Sequence, residues 1–253
     1  MAIPFVEMIM IKKSIIAILL AVLLPMTGYL LVSYYSTRDV QMPHRFFYDS
    51  VSVLSKNGKT INDTAWHSVR NMHFINQLGQ EVSFANLGRK IIVLDFFFTR
   101  CPSLCPQLAK SMKRLQNSFP NNDSIVQFIS ISVDPTHDSV PELRKWAEKF
   151  NVNPDSWWLL TGSRDSIYQF ALNEIKASIA DVHVDTGFIH TPDFFLLDRE
   201  RIVRGWYDGS DSSDQKRLVR DIPLLMLEKD RKRSFKDFIN GLFAGYKSPG
   251  EIQ

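Results

Sequence analysis

The stretch Ile91–Met112, IIVLDFFFTRCPSLCPQLAKSM, runs from an apolar segment through both cysteines of the chain into a helical pattern. Its first part, Ile91–Phe98, is built of Ile, Val, Leu and Phe around Asp95, the signature of a strand buried on both faces of a mostly parallel sheet. Its second part repeats Leu104, Leu108, Met112 and Leu115 at helical spacing, which places Cys101 and Cys105 at or just before a helix N-terminus. Once that turn is helical, residues four apart share a face, and the two sulfurs converge on one disulfide or one metal ion. Pro102 and Pro106 each suit a first helical position, so the helix has two candidate starts.

The flanking chain builds layers around this junction. Ile125–Val133 reads as a second buried strand ending at Asp134-Pro135, and Pro141–Phe150 as a helix with Leu143, Trp146, Ala147 and Phe150 on one face. Trp157–Leu160 reads as a short strand and Arg164–Leu172 as a helix. Strands alternating with helices predict a parallel α/β sheet with right-handed crossovers. Asp193–Leu197 and Ile202–Tyr207 then form a hairpin around Asp198–Arg201, followed by a helix over Asp214–Glu228. Upstream, Phe74-Ile75 and Glu81–Phe84, separated by Asn76–Gln80, read as another hairpin leading into the central strand.

Near the N-terminus, Lys12 and Lys13 precede Ile15–Val32, an uncharged apolar run of the length that crosses a bilayer. No A-x-A site follows, and the run exceeds a signal core of roughly 7–15 residues. The expectation is an uncleaved single-pass anchor rather than a signal peptide. Lysines before the run, against Arg38 and Asp39 after it, put the N-terminus in the cytoplasm and the bulk outside, in the periplasm of a bacterium. Disulfides persist there. The predicted order is a leader (1–13, with Met8 or Met10 as alternative starts), an anchor (14–35), a tether (36–65), the main domain (66–228) and a tail (229–253). The tether carries turn signals at Met42-Pro43 and Asn57-Gly58. The tail is basic and amphipathic, read as a solvated helix packed on its own domain or as a membrane or partner contact.

At 253 residues and 45% hydrophobic composition, the chain supports one sizeable core. A net charge of +3, scattered along the chain, excludes a nucleic-acid-binding stripe. Two cysteines exclude a four-thiolate zinc site and a multi-disulfide framework, leaving one disulfide, one redox pair or two metal ligands.

A cysteine near a helix N-terminus has its thiolate favoured by backbone N–H groups, which improves it as nucleophile and as ligand. Two thiolates are soft donors that suit Cu(I), and one imidazole completes a three-coordinate site. An inert disulfide across so short a loop would restrict little chain entropy. Of the histidines, His190 stands just before the Asp193–Leu197 strand and is the first candidate third ligand; His183, in the same loop, is the second. His44, His67, His73 and His137 read as loop or hairpin residues.

The segments DFFFTRCPSLCP, ISVDPTHDSVPELRKWA, HTPDFFLLD and RGWYDG, in that order, resemble the Sco/SenC family of membrane-anchored copper chaperones. The likeness spans about Trp66 to Leu227 together with the N-terminal anchor. It implies an α/β, thioredoxin-like fold with an N-terminal β-hairpin extension, preceded by a single transmembrane helix. It further implies copper, as Cu(I) or Cu(II), bound by Cys101, Cys105 and His190 and passed to the binuclear copper site of cytochrome c oxidase subunit II or a similar recipient. The alternative it leaves open is a thiol–disulfide oxidoreductase that keeps a partner's cysteines reduced and draws on an extracytoplasmic thiol reductant. Two residues favour that chemistry. Asp95 lies six residues before Cys101, where thioredoxins place a buried acid for proton transfer. Thr191-Pro192 precedes a strand as the cis-proline of thioredoxin folds does, which predicts a cis bond approaching the cysteines. Asp134 matches the family's VDP motif and also reads as a plain turn former. A peroxidase-like reading has only the shared fold behind it.

Overall fold

The computed structural model describes residues 19–33, 42–56, 59–120, 124–177 and 191–231. It divides into two units, Met1–Met42 and Pro43–Gln253. In the first, residues 19–33 form helix α1, with Leu19, Leu23, Leu30 and Val32 exposed. Among the described residues no helix is long and apolar enough to cross a membrane. The remainder of the predicted 14–35 anchor lies outside the described residues.

The second unit is organised on a seven-stranded sheet of order β4-β3-β7-β6-β5-β8-β9. Its strands are β3 (His73–Asn76), β4 (Glu81–Ser83), β5 (Ile91–Phe97), β6 (Val126–Ser132), β7 (Trp157–Thr161), β8 (Asp193–Leu197) and β9 (Val203–Asp208). β5, β6 and β7 are parallel, as the alternating pattern predicts. The outer strands are antiparallel: β8 returns along β5, β9 folds back on β8, and the predicted β3–β4 hairpin adds to β7 through β3. The sheet is therefore mixed, with its parallel strands at the centre where both faces are covered.

Every residue of β5 and β6 is buried. Ile91, Val93 and Phe97 face one cluster, shared with Cys101, Cys105, Leu108, Met112 and Trp146. Ile92, Leu94 and Phe96 face the other, with Ile129, Phe170 and Phe195. α2 (Leu104–Ser118) and α5 (Ser212–Arg231) contribute Leu108 and Leu218 to the first layer, as does α3 (Val140–Lys149) through Leu143. α4 (Arg164–Gln169) serves the second through Ile167 and continues as a π turn, Phe170–Glu174. That turn sends the Glu174 carboxylate to Arg70, whose backbone N–H and Nε donate to it at 2.9 and 2.6 Å.

Most of the described part of the 36–65 stretch forms an antiparallel ribbon, β1 (Tyr48–Lys56) and β2 (Lys59–Trp66), separate from the main sheet. Lys56 pairs with Lys59, so the predicted turn residues Asn57-Gly58 stand between the strands, outside the described residues. Val51 and Val53 of β1 are exposed. Exposed strand positions such as these impose no hydrophobic alternation, and the sequence carries little there.

Candidate metal and thiol-redox site

β5 ends at Phe97, and Phe98, Thr99 and Arg100 carry the chain to Cys101. The Cys101 N–H donates to the Phe98 carbonyl at 3.2 Å, closing a tight turn. Pro102 and Ser103 are exposed at the tip, and α2 starts at Leu104, so Cys105 lies in its first turn with Pro106 behind it. Neither proline takes the first helical position: Pro102 lies two residues before Leu104, outside the cap, and Pro106 two residues after it, inside the first turn. Both thiols are free and buried, Cys101 6% and Cys105 1% exposed. The Cys105 N–H, one of the amides a helix start leaves without an intrahelical partner, donates to Cys101 Sγ at 3.2 Å.

The two sulfurs differ electrostatically. Burial pushes the Cys105 thiol well above the ordinary cysteine range, and the neighbouring Cys101 and Asp95 push it further in the same direction. Asp95 sits on β5 between Val93 and Phe97, so the two-residue period of a strand places it on the cysteine face. Burial raises its pKa to about 7, against the lowering effect of the Ser130 hydroxyl. Its Oδ1 has no hydrogen-bond partner among the described residues. A buried, protonatable carboxyl coupled to a protonated thiol is the arrangement that proton transfer between them requires.

The structure thus brings Cys101, Cys105 and Asp95 together. His190 and His183 lie outside the described residues. The chain is described again from Thr191, which is buried and donates from Oγ1 to Asp193 Oδ2 at 2.5 Å. The Pro192 carbonyl accepts the Gly209 N–H at 2.8 Å. The peptide bonds of the described residues are all trans, so the expected cis Thr191–Pro192 bond is withdrawn. A trans X–Pro bond is favoured by about 0.5–1 kcal/mol, and here the prolyl carbonyl already has its partner in Gly209. His67 stands between Asp49 at 2.8 Å and Glu174 at 3.5 Å, and His73 faces Glu81 at 3.1 Å.

Sequence reasoning missed the network that receives the strand end of the cysteine loop. The Asp134 carbonyl accepts the His137 and Asp138 N–H groups, which is the turn its sequence suggests. Its buried carboxylate does something else: it accepts Arg100 Nη2 at 2.5 Å and Nε at 3.2 Å. Asp138, fully buried, accepts the Thr99 N–H at 3.0 Å, the Thr99 hydroxyl at 2.5 Å and the Ser132 hydroxyl at 2.6 Å, and faces His137 Nδ1 at 3.0 Å. Asp134, His137 and Asp138 are close enough to surround an ion, with ligand atoms within 4.8 Å of one another. Arg100 already occupies the first carboxylate and three donors the other, so the cluster is a hydrogen-bond network.

A family model described as SCO1/SenC matches residues 63–226. This chain belongs to the SCO1/SenC family. It is 31% identical over 166 residues to the SCO1 protein homolog of Bacillus subtilis, an alignment covering 65% of this chain and 86% of that protein. A solved structure of BsSco, a member of the Sco family of cytochrome c oxidase assembly proteins in which a disulfide switch was identified, is 31% identical. It superposes with a TM-score of 0.56 over 65% of this chain and 97% of its own. Copper-bound yeast Sco1, 22% identical, shares the fold with a TM-score of 0.50 over 72% of this chain and 96% of its own. The α/β architecture is the thioredoxin-like Sco fold, and the two cysteines of this SCO1/SenC chain sit where its central strand meets α2.

Proposed function

We propose that this chain is a copper metallochaperone that carries copper on Cys101, Cys105 and His190 to a binuclear site of cytochrome c oxidase. The observation that carries the reading is the pair of free thiols at the start of α2, with the Cys105 N–H on Cys101 Sγ. Two soft sulfurs, one in the first turn of α2 and one in the loop before it, form an incomplete coordination set, which a copper ion accepts in three-coordinate form. Delivery by ligand exchange requires such openness. Copper bound to solved Sco proteins, including yeast Sco1, supports the assignment of the cargo. The apolar run that includes α1 is assigned as the membrane anchor, holding the pair outside the cytoplasm beside a recipient such as subunit II.

The test is an anaerobic copper titration of the reduced protein with absorption spectroscopy. Thiolate-to-Cu(II) bands and one copper per chain are expected. His190→Ala should weaken binding strongly while leaving disulfide exchange intact; unchanged copper affinity in that variant removes His190 from the site.

A second reading rests on Asp95. In it, Cys101 attacks a partner's disulfide, forming a mixed disulfide and releasing one partner thiol. Cys105 then gives its proton to the Asp95 carboxylate and attacks Cys101 Sγ. The second partner thiol leaves, and the two electrons delivered come from Cys101 and Cys105 as they join in a disulfide. An external thiol reductant resets the pair. The disulfide switch of BsSco supports this chemistry in a relative. Asp95→Asn separates the readings, since it should slow resolution of the mixed disulfide and leave copper affinity close to that of the wild type.

A further inference from the structure

The cysteine loop is held at two ends by different means. Its C-terminal end is part of α2, so Cys105 is placed by a helix. Its N-terminal end is held from across the sheet edge. Thr99 gives both its N–H and its hydroxyl to one carboxylate, that of Asp138, and the next residue, Arg100, gives its guanidinium to Asp134. Two donors from one residue to one acceptor group fix the direction in which the chain leaves Thr99, and Cys101 follows two residues later. The Ser132 hydroxyl, at the end of β6, supplies a further donor to Asp138 and anchors that carboxylate to the parallel core. A carboxylate with 0% exposure is costly to bury unless its lone pairs are used. Here the donors it recruits lie on the approach to the cysteine loop.

We propose that Asp138, acting through Thr99, is a positioning residue that sets Cys101 Sγ relative to Cys105, and so sets both the copper geometry and the dithiol–disulfide balance of the pair. The copper part of this inference rests on the metallochaperone reading; the dithiol part does not. Groups that orient a ligand without touching the metal contribute about 10–100-fold in affinity where they have been removed from other metal sites. Thr99 and Asp138 act one step further back, through the backbone that runs from Thr99 to Cys101. Neither touches copper in this scheme.

The experiment compares full-length wild-type protein with Thr99→Val, Thr99→Ser and Asp138→Asn. Thr99→Val keeps the shape and the N–H donor and deletes only the hydroxyl, whereas Thr99→Ser keeps the hydroxyl. Circular dichroism confirms folding at the working temperature. Copper affinity is read by chelator competition, the thiolate–Cu(II) band by absorption, and the Cys101–Cys105 equilibrium by titration with dithiothreitol. Thr99→Val is expected to shift the band, weaken copper about tenfold or more and move the dithiol equilibrium constant by about tenfold. Thr99→Ser is expected to restore all three, and Asp138→Asn to exceed Thr99→Val. A folded Thr99→Val that matches wild type in band and equilibrium constant overturns the proposal, because loss of stability alone would move neither. Should wild type show no thiolate–copper band, the metallochaperone reading falls. The positioning role is then judged on the dithiol equilibrium, where a shift in Thr99→Val supports it and no shift overturns it. Where Asp138→Asn fails to fold, the Thr99 pair decides.

Discussion

The backbone N–H of Cys105 points at the sulfur of Cys101 across 3.2 Å, so the two cysteines meet through an amide as well as through their side chains. One sulfur accepts a hydrogen bond from the helix start. The other is held in its protonated form by burial. The pair is asymmetric before any metal or partner arrives.

That asymmetry predicts unequal alkylation. In Cys105→Ser, the remaining Cys101 should react with iodoacetamide at neutral pH at least about tenfold faster than Cys105 does in Cys101→Ser, since the thiolate is the reacting species. Mass spectrometry of quenched time points gives both rates. Neither variant can form the intramolecular disulfide, and both should lose high-affinity copper binding.

Asp95 links stability to pH with a defined sign. Its folded pKa is raised from 3.8 to about 7, so between those values the native state keeps a proton that the unfolded state releases. Stability attributable to this group is complete below pH 3.8, falls as pH rises toward about 7 and is flat beyond. The full loss is of order 4 kcal/mol, because each tenfold difference in proton affinity between the two states is worth about 1.36 kcal/mol. Asp95→Asn has no proton to release, so its stability relative to wild type should rise by a few kcal/mol across about pH 4 to 8. Urea unfolding at several pH values reads this directly; a constant difference between the two proteins would contradict it.

Gly209 packs without a side chain where α2 and β8 meet the turn after β9. A Cβ there would lie 2.7 Å from Leu108 Cδ2 and 2.7 Å from Phe194 Cζ, both fully buried. Gly209→Ala should therefore cost about 1–3 kcal/mol by overpacking. Leu108→Ala makes room, so the two substitutions together should cost less than their sum. Thermal unfolding of the two single variants and the double variant measures the coupling.

Arg204 is 3% exposed and pairs with Asp198 at 2.8 Å and Glu228 at 2.6 Å. Its Nη2 also donates to the Pro43 carbonyl at 2.6 Å. Replacing it by Met leaves Asp198 buried without its cation, which should cost about 3–5 kcal/mol in chemical unfolding. Arg204→Lys keeps the charge and loses the planar fork, so an intermediate loss is expected.

Much of the fold is legible from local pattern. The run around Asp95 is β5, the Leu104–Leu115 spacing is α2, and the strands near Ile125, Trp157 and Asp193 fall within a residue or two of their observed bounds. The β1–β2 ribbon was hidden because its exposed Val51 and Val53 answer to no core. The π turn after α4 was hidden because Phe170 and Ala171 continue an ordinary helical spacing while the backbone widens to aim Glu174 at Arg70.

The sequence alone determined that a buried strand hands two cysteines four residues apart to a helix start, because strand burial, helix periodicity and proline placement are local properties. It also carried the ordered motifs by which the family is recognised. Tertiary structure decided the antiparallel return of β8 on β5, the trans bond at Thr191–Pro192 and the hold of Asp134 and Asp138 on Arg100 and Thr99. Those contacts join residues 34 and 39 positions apart. No local pattern encodes such pairings; they arise when parallel strands β5 and β6 bring their C-terminal ends side by side and two buried carboxylates require donors there.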